Sequence, residues 1–430
     1  MPCSRNEKYK VHQDSYMTSS KRSDRHCAVL LTALLLQACG GGGAGTADTP
    51  TTAATTAVVT APVNGANRLT VSQSLFRETA LSASGRLSCA TCHTDETAHS
   101  TASLISFPTG GPNMDQQVPR ASPSILYLQA NRAFNINDNG NPSGGFNWDG
   151  RFNSRAQQAT GPLLAANEMA NVDVAAVARK VRGLPYFNDF VSAFGISAQA
   201  GDQLVFDTLL QALENYQQQD PDYLLFNSKY DRFLDGTTTL TAQETRGLNI
   251  FNDPNKGNCD SCHTSRIGQA RERPLFTNFR YAALGLPRNS AITANADSNF
   301  FDMGLCGPTR TDLTARTDLC GHFKIPTLRN IAITAPYFHN SSIATLTNAV
   351  EFYATRDTNP SRWYPIVLGV VEKFNDLPVQ FRNNVRRTRP FGQNAGDPPA
   401  LTAQDVADLV AFLQTLSDDR NAAPGAATVP

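Results

Sequence analysis

Two short segments carry residue types and spacings that can do redox chemistry. Cys89-Ala90-Thr91-Cys92-His93 and Cys259-Asp260-Ser261-Cys262-His263 both read C-x-x-C-H. Two thiols at this spacing can form thioethers to the vinyl groups of one haem, while the adjacent histidine supplies an axial nitrogen to the iron. The alternative is a pair of redox or zinc C-x-x-C sites, which a second copy in an exported chain disfavours. The residues therefore predict two covalently bound c-type haems. Cys89, Cys92, Cys259 and Cys262 would be the attachment points, and His93 and His263 the iron ligands.

The chain has nine cysteines, and the other five also find places. Cys3 and Cys27 lie in a leader in which Lys21, Arg22 and Arg25 precede the apolar run 28–36. Leu36-Gln37-Ala38-Cys39 then resembles a bacterial lipobox, which would acylate Cys39 after cleavage; an ordinary cleaved signal is the alternative. Either reading implies export, and the expected location is the periplasm of a Gram-negative bacterium, with a lipid anchor as the only membrane contact. Cys306 and Cys320 enclose a loop rich in Thr, Asp and Arg. In an oxidising compartment they are expected to form a disulfide contributing about 3 kcal/mol, with free thiols as the alternative.

The elements that must position these groups read as helices. Leu69, Leu75, Phe76 and Ala80 recur at helical spacing before the first motif, and a capping box, Thr241-Ala242-Gln243-Glu244, opens a helix before the second. Leu209, Leu213 and Tyr216 share one face later in the first half. Val406, Leu409, Val410, Leu413 and Leu416 form an apolar stripe at the end of the second. Two helix–C-x-x-C-H–helix units imply an all-α chain of two tandem class I cytochrome c-like haem domains joined by long irregular loops. The expected division is a signal peptide over 1–38, a flexible linker over 39–66, haem domains over 67–238 and 239–420, and a disordered tail over 421–430. The interruption around Asp235-Gly236 sets the boundary, and the aperiodic stretch 135–145 is expected to wrap a cofactor edge. Formal net charge is zero, which gives no reason to expect nucleic acid as a partner.

Further motifs carry a resemblance. Phe146-Asn147-Trp148-Asp149-Gly150-Arg151, with Gln158, Gly161-Pro162 and Glu168-Met169, is similar to the diheme cytochrome c peroxidase and MauG family. So is the run from Phe323 to Asn330 continuing into Ala335-Pro336-Tyr337-Phe338-His339-Asn340. The resemblance spans about 69–416. It implies that Trp148 lies between the haems as an electron relay and that Glu168 is the acid–base group over a peroxide-binding N-terminal haem. Gln158 and Pro162 would line the same pocket. Tyr353 stands where peroxidase members place a methionine and MauG-type members a tyrosine, so it would be the sixth ligand of the C-terminal haem. A phenolate is hard and favours ferric iron, which implies a low potential. Peroxidase members also hold a second histidine on the resting N-terminal haem. No histidine stands between His99 and His263, so this haem is expected to be open, with Met114 as an alternative ligand. His339 matches a family histidine near the C-terminal haem, and His322 is expected to be a solvated loop residue. Family calcium would be held by the carbonyls of Thr334 and Pro336, but its amide position falls on Ala121, with Asn131 close and misplaced.

The implied activity is that of a diheme oxidase using hydrogen peroxide. It would reduce peroxide with electrons from a small cytochrome or cupredoxin, or oxidise a partner protein in the MauG manner. Tyr353 and the missing histidine favour the second. Gly257, however, stands where the MauG that matures methylamine dehydrogenase has a surface tryptophan. A plain electron carrier with two saturated haems is the alternative from another class, and an oxygenase akin to the rubber-degrading relatives a third. A homodimer is compatible with all of these.

Overall fold

The computed structural model describes residues 65–101, 107–268 and 271–420. The leader, Cys39, the linker up to residue 64 and the tail over 421–430 lie outside them. All described residues belong to one compact unit. It is helical: β-structure among them is limited to four antiparallel ladders of two residues per strand and a few isolated bridges.

The first half contains α1 (Gly65–Phe76), the four-residue α2 (Cys89–Cys92), α3 (Arg155–Leu164), α4 (Val174–Arg182), α5 (Phe187–Phe194) and α6 (Asp202–Gln219). α6 is the axis against which α1, α3 and α4 pack. Its Val205, Leu209, Leu213 and Tyr216 are buried with Leu75, Phe76, Val177, Val181 and Phe190 in one cluster. α1 ends at Phe76, so Ala80 belongs to a separate turn of 3-10 helix over Thr79–Leu81 rather than to the helix that the periodicity suggests. That turn has its own cap, with Glu78 accepting a bond from the Ala80 amide.

The second half contains α7 (Lys229–Leu234), α8 (Ala242–Asn252), α9 (Leu346–Thr355) and α10 (Ala403–Gln414). The Thr241–Glu244 capping box is formed reciprocally, and α8 packs along α10. Gly247 makes that approach possible, since a Cβ there would lie 2.0 Å from the Asp408 carbonyl oxygen. Phe251, Val406, Leu409, Phe412, Leu413 and Leu416 share this core with Tyr230 and Phe276. The change of core falls between Tyr223, in the first cluster, and Tyr230, in the second. Cys306 and Cys320 are joined, with their Cα atoms 5.0 Å apart.

Candidate haem sites

Each C-x-x-C-H motif forms a tight turn that holds its histidine by the ring. His93 Nδ1 lies 2.7 Å from the His99 carbonyl oxygen, and His263 Nδ1 lies 2.9 Å from that of Phe276. A carbonyl can only accept, so Nδ1 is the protonated nitrogen in both rings and the Nε2 lone pair is left for a metal. Burial lowers both imidazoles, His263 to about 4, and so keeps them neutral. His99 itself is stacked on Tyr223 at 4.8 Å and is 1% exposed. It holds the first haem histidine through its carbonyl, and any residue type could do the same, so the sequence gives no signal for it.

One cavity of about 320 Å³ is lined by His93, Gln158 and Trp148 from the first half and by Cys259, Cys262, His263 and Tyr353 from the second. The donor set fits c-type haem: paired thiols, neutral imidazoles held through Nδ1, and a buried guanidinium on Arg155 whose Nε and Nη2 have no hydrogen-bond partner. Burial also pushes the Cys89 thiol up to about 12 and that of Cys92 to about 11, the reverse of a reactive redox dithiol.

Tyr353 comes from α9 and stacks on Phe391 at 5.2 Å, with Cys262 and Cys259 near enough to act on its hydroxyl electrostatically. Trp148 donates its indole N–H to the Ala121 carbonyl at 2.8 Å, and its own carbonyl accepts from the Lys324 amide. The following residue anchors the loop. Asp149 is fully buried and receives Arg120 Nη1 at 2.7 Å and Arg151 Nη1 at 2.8 Å, while Arg120 reaches on to Asp302. Burial alone would raise Asp302, but Arg120 more than offsets it and holds the carboxyl below the usual range. Arg310 closes the cluster from within the disulfide loop, donating to the Asp149 carbonyl at 2.9 Å. Lys324 lies in the same wall, its ammonium bound to Asn131 Oδ1 and to the carbonyls of Gly144 and Gly145; burial lowers it to about 7.

Pro162, Glu168 and Met114 are not among the cavity-lining residues. Glu168 nevertheless acts electrostatically on both Cys89 and Cys92, so its carboxylate stands beside the first motif. Burial raises this carboxyl and Arg151 opposes the shift. Its backbone is gripped by the Gly111 amide at 2.9 Å, and Pro162 accepts from the Met169 amide at 3.0 Å. Gly110 allows this approach, because a Cβ there would sit 2.4 Å from the Asn167 oxygen and 2.6 Å from that of Glu168. Met114 packs against the N-terminal core. His339 stacks on Phe323 at 3.4 Å and faces Trp148 at 6.3 Å between ring centroids.

His322 is a correction: it is not a solvated loop residue. Its Nδ1 is buried, and its carbonyl accepts from the Leu305 amide at 3.1 Å. Thr334, Pro336 and Ala121 line the cavity, but Asn131 has its amide committed at both ends, to Gly145 and Lys324.

The family model for di-haem cytochrome c peroxidase matches residues 67–239. The methylamine utilization protein MauG of Paracoccus denitrificans is 32% identical over 365 residues, covering 80% of this chain and 87% of that protein. The chain belongs to the diheme cytochrome c peroxidase and MauG family. The cytochrome c551 peroxidase of Pseudomonas aeruginosa is 30% identical over 64% of this chain and 68% of its own. Among solved structures, the diheme peroxidase BthA from Burkholderia thailandensis is 37% identical at a TM-score of 0.75. That match covers 82% of this chain and 86% of BthA, and a tyrosine-to-methionine variant of BthA matches similarly. The chain is thus a peroxidase-like oxidoreductase of a diheme, helix-dominated family, as its motifs lead one to expect.

Proposed function

We propose that this chain is an exported peroxide-using diheme enzyme with an open N-terminal haem on His93 and a C-terminal haem held between His263 and Tyr353. The observation that carries this is one cavity whose lining includes His93, Trp148, His263 and Tyr353. When bound, the haems supply the exchange of electrons with peroxide. The protein supplies the rest. Glu168 takes a proton from one peroxide oxygen and returns it to the departing one. Its burial raises its pKa toward the range in which a carboxyl can serve as both base and acid. Gln158, on the cavity wall, orients the incoming peroxide. Trp148, fixed by Ala121, Lys324 and the Asp149 cluster, relays electrons between the two halves.

The finer choice is between reducing peroxide with a small cytochrome or cupredoxin and oxidising a protein partner. Tyr353 supports the second, because a hard phenolate stabilises oxidised iron. The partner would differ from methylamine dehydrogenase. Position 257 has no space for an indole, since even a Cβ would lie 2.5 Å from the Ile250 carbonyl. The Cys306–Cys320 disulfide supports an oxidising compartment, and anchoring through Cys39 would keep the enzyme at a membrane surface. Calcium would find the carbonyls of Thr334 and Pro336 but no side-chain oxygen at Ala121. Chelator treatment is therefore expected to leave activity intact.

The test is peroxide turnover in the presence of a reduced small cytochrome or copper protein. Two electrons consumed per peroxide would establish the peroxidase reaction. Spectral oxidation by peroxide with no donor turnover would favour a protein substrate. A spectrum that peroxide leaves untouched would mark an electron carrier instead.

A further inference from the structure

Among the described residues several guanidinium groups are buried, and all but one of them are paired with carboxylate. Arg329 takes Asp231 through two bonds of 2.9 and 3.0 Å, Arg356 takes Asp357, and Arg120 takes Asp149 and Asp302. Arg155 is the exception. It is 6% exposed, and its Nε and Nη2 have no hydrogen-bond partner. Glu214 acts on it only at a distance, as an electrostatic influence without a hydrogen bond.

A buried, unpaired cation is costly unless an anion reaches it. Arg155 lines the haem cavity with His93 and stands one helical turn before Gln158 on α3. Its guanidinium carbon lies 5.9 Å from the Phe146 ring centroid, and the Lys324 ammonium, whose acceptors are all uncharged, lies 5.8 Å from the same ring. Arg155 and Lys324, two basic side chains without a carboxylate partner, thus both flank Phe146 in the lining of a cavity that would receive haem. Haem carries its two carboxylates along one edge.

We propose that Arg155 binds a propionate of the N-terminal haem, which fixes that haem with its propionate edge toward Phe146 and the Trp148 loop. The proposal rests on His93 being the haem ligand, and haem content tests that separately. A charge-assisted pair here would also favour the ferrous state, because the guanidinium offsets the negative charge of the propionate.

The experiment compares holoprotein of wild type, Arg155→Met and Arg155→Lys. Pyridine haemochrome should give two haems per chain in the wild type; fewer would sink the ligand assignment rather than the anchor. Resonance Raman should show the propionate-bending band of the N-terminal haem displaced in the Met variant and largely restored in the Lys variant. The ferric-to-ferrous equilibrium of that haem should shift about tenfold toward ferric in the Met variant. An unmoved band and potential, even with lowered thermal stability, would overturn the proposal and leave Arg155 a packing residue. Weakened formate binding at that haem with an unmoved band would overturn it too, by making the anion an external one. The Lys variant keeps both readouts available where the Met variant loads haem poorly.

Discussion

An imidazole ligates a metal only through a nitrogen whose lone pair is free, and main-chain carbonyls keep it free on His93 and His263. The remaining residue-scale chemistry depends on burial. Glu168→Gln keeps the shape but removes the proton carrier, so the reaction with peroxide should slow by about 10²–10⁴-fold. Because burial disfavours the Glu168 carboxylate, melting at neutral pH should be no lower in the variant; an unchanged peroxide rate would remove Glu168 from the mechanism. Asp376 offers a second test. Burial, with Asp302 adding to it, pushes this carboxyl from 3.8 to about 7, against Asn340 and Arg288. The folded state therefore holds a proton that the unfolded chain releases at lower pH. Stability should fall as pH rises from about 4 to 7, by up to about 1.4 kcal/mol per unit. Asp376→Asn should flatten that dependence in thermal unfolding from pH 5 to 8, and equal slopes would refute it. Cysteine and histidine spacing was legible in the sequence because it is local. The loneliness of Arg155 and the burial of His322 were not, because both depend on neighbours far along the chain.

At the scale of elements, a capping box announced α8 and an apolar stripe announced α10, whereas α3 and its surroundings were harder to read. Pro162 lies inside α3, where its missing N–H leaves the Gln158 carbonyl without its usual helical donor. The loop at Gly110 then passes against the backbone of Glu168 with no space for a methyl group. Gly110→Ala should cost about 1–3 kcal/mol through overpacking and slow the peroxide reaction while both haems remain attached. An unaffected rate in a normally loaded variant would detach this loop from the site. The disulfide loop is the other positioning element, since it delivers Arg310 to the Asp149 carbonyl. Replacing Cys306 and Cys320 by serine should cost about 3 kcal/mol, checked by denaturant unfolding. Its role beside Trp148 could not be read from spacing, which gives a loop length but not what the loop reaches.

At the scale of the molecule, two helical cores share one cavity, and Trp148 stands in its wall. The repeated motif was visible in the sequence, but the shared cavity was not, because much of its wall comes from long aperiodic loops. The central claim is that an open haem is coupled through this wall to a haem ligated by Tyr353. Electron paramagnetic resonance of the resting ferric holoprotein, followed by one equivalent of peroxide, tests it most directly. The predicted result is one high-spin and one low-spin signal, a near-infrared band after peroxide, and loss of the low-spin signal in Tyr353→Phe. Two low-spin signals that peroxide leaves unchanged, even after one-electron reduction, would contradict the account.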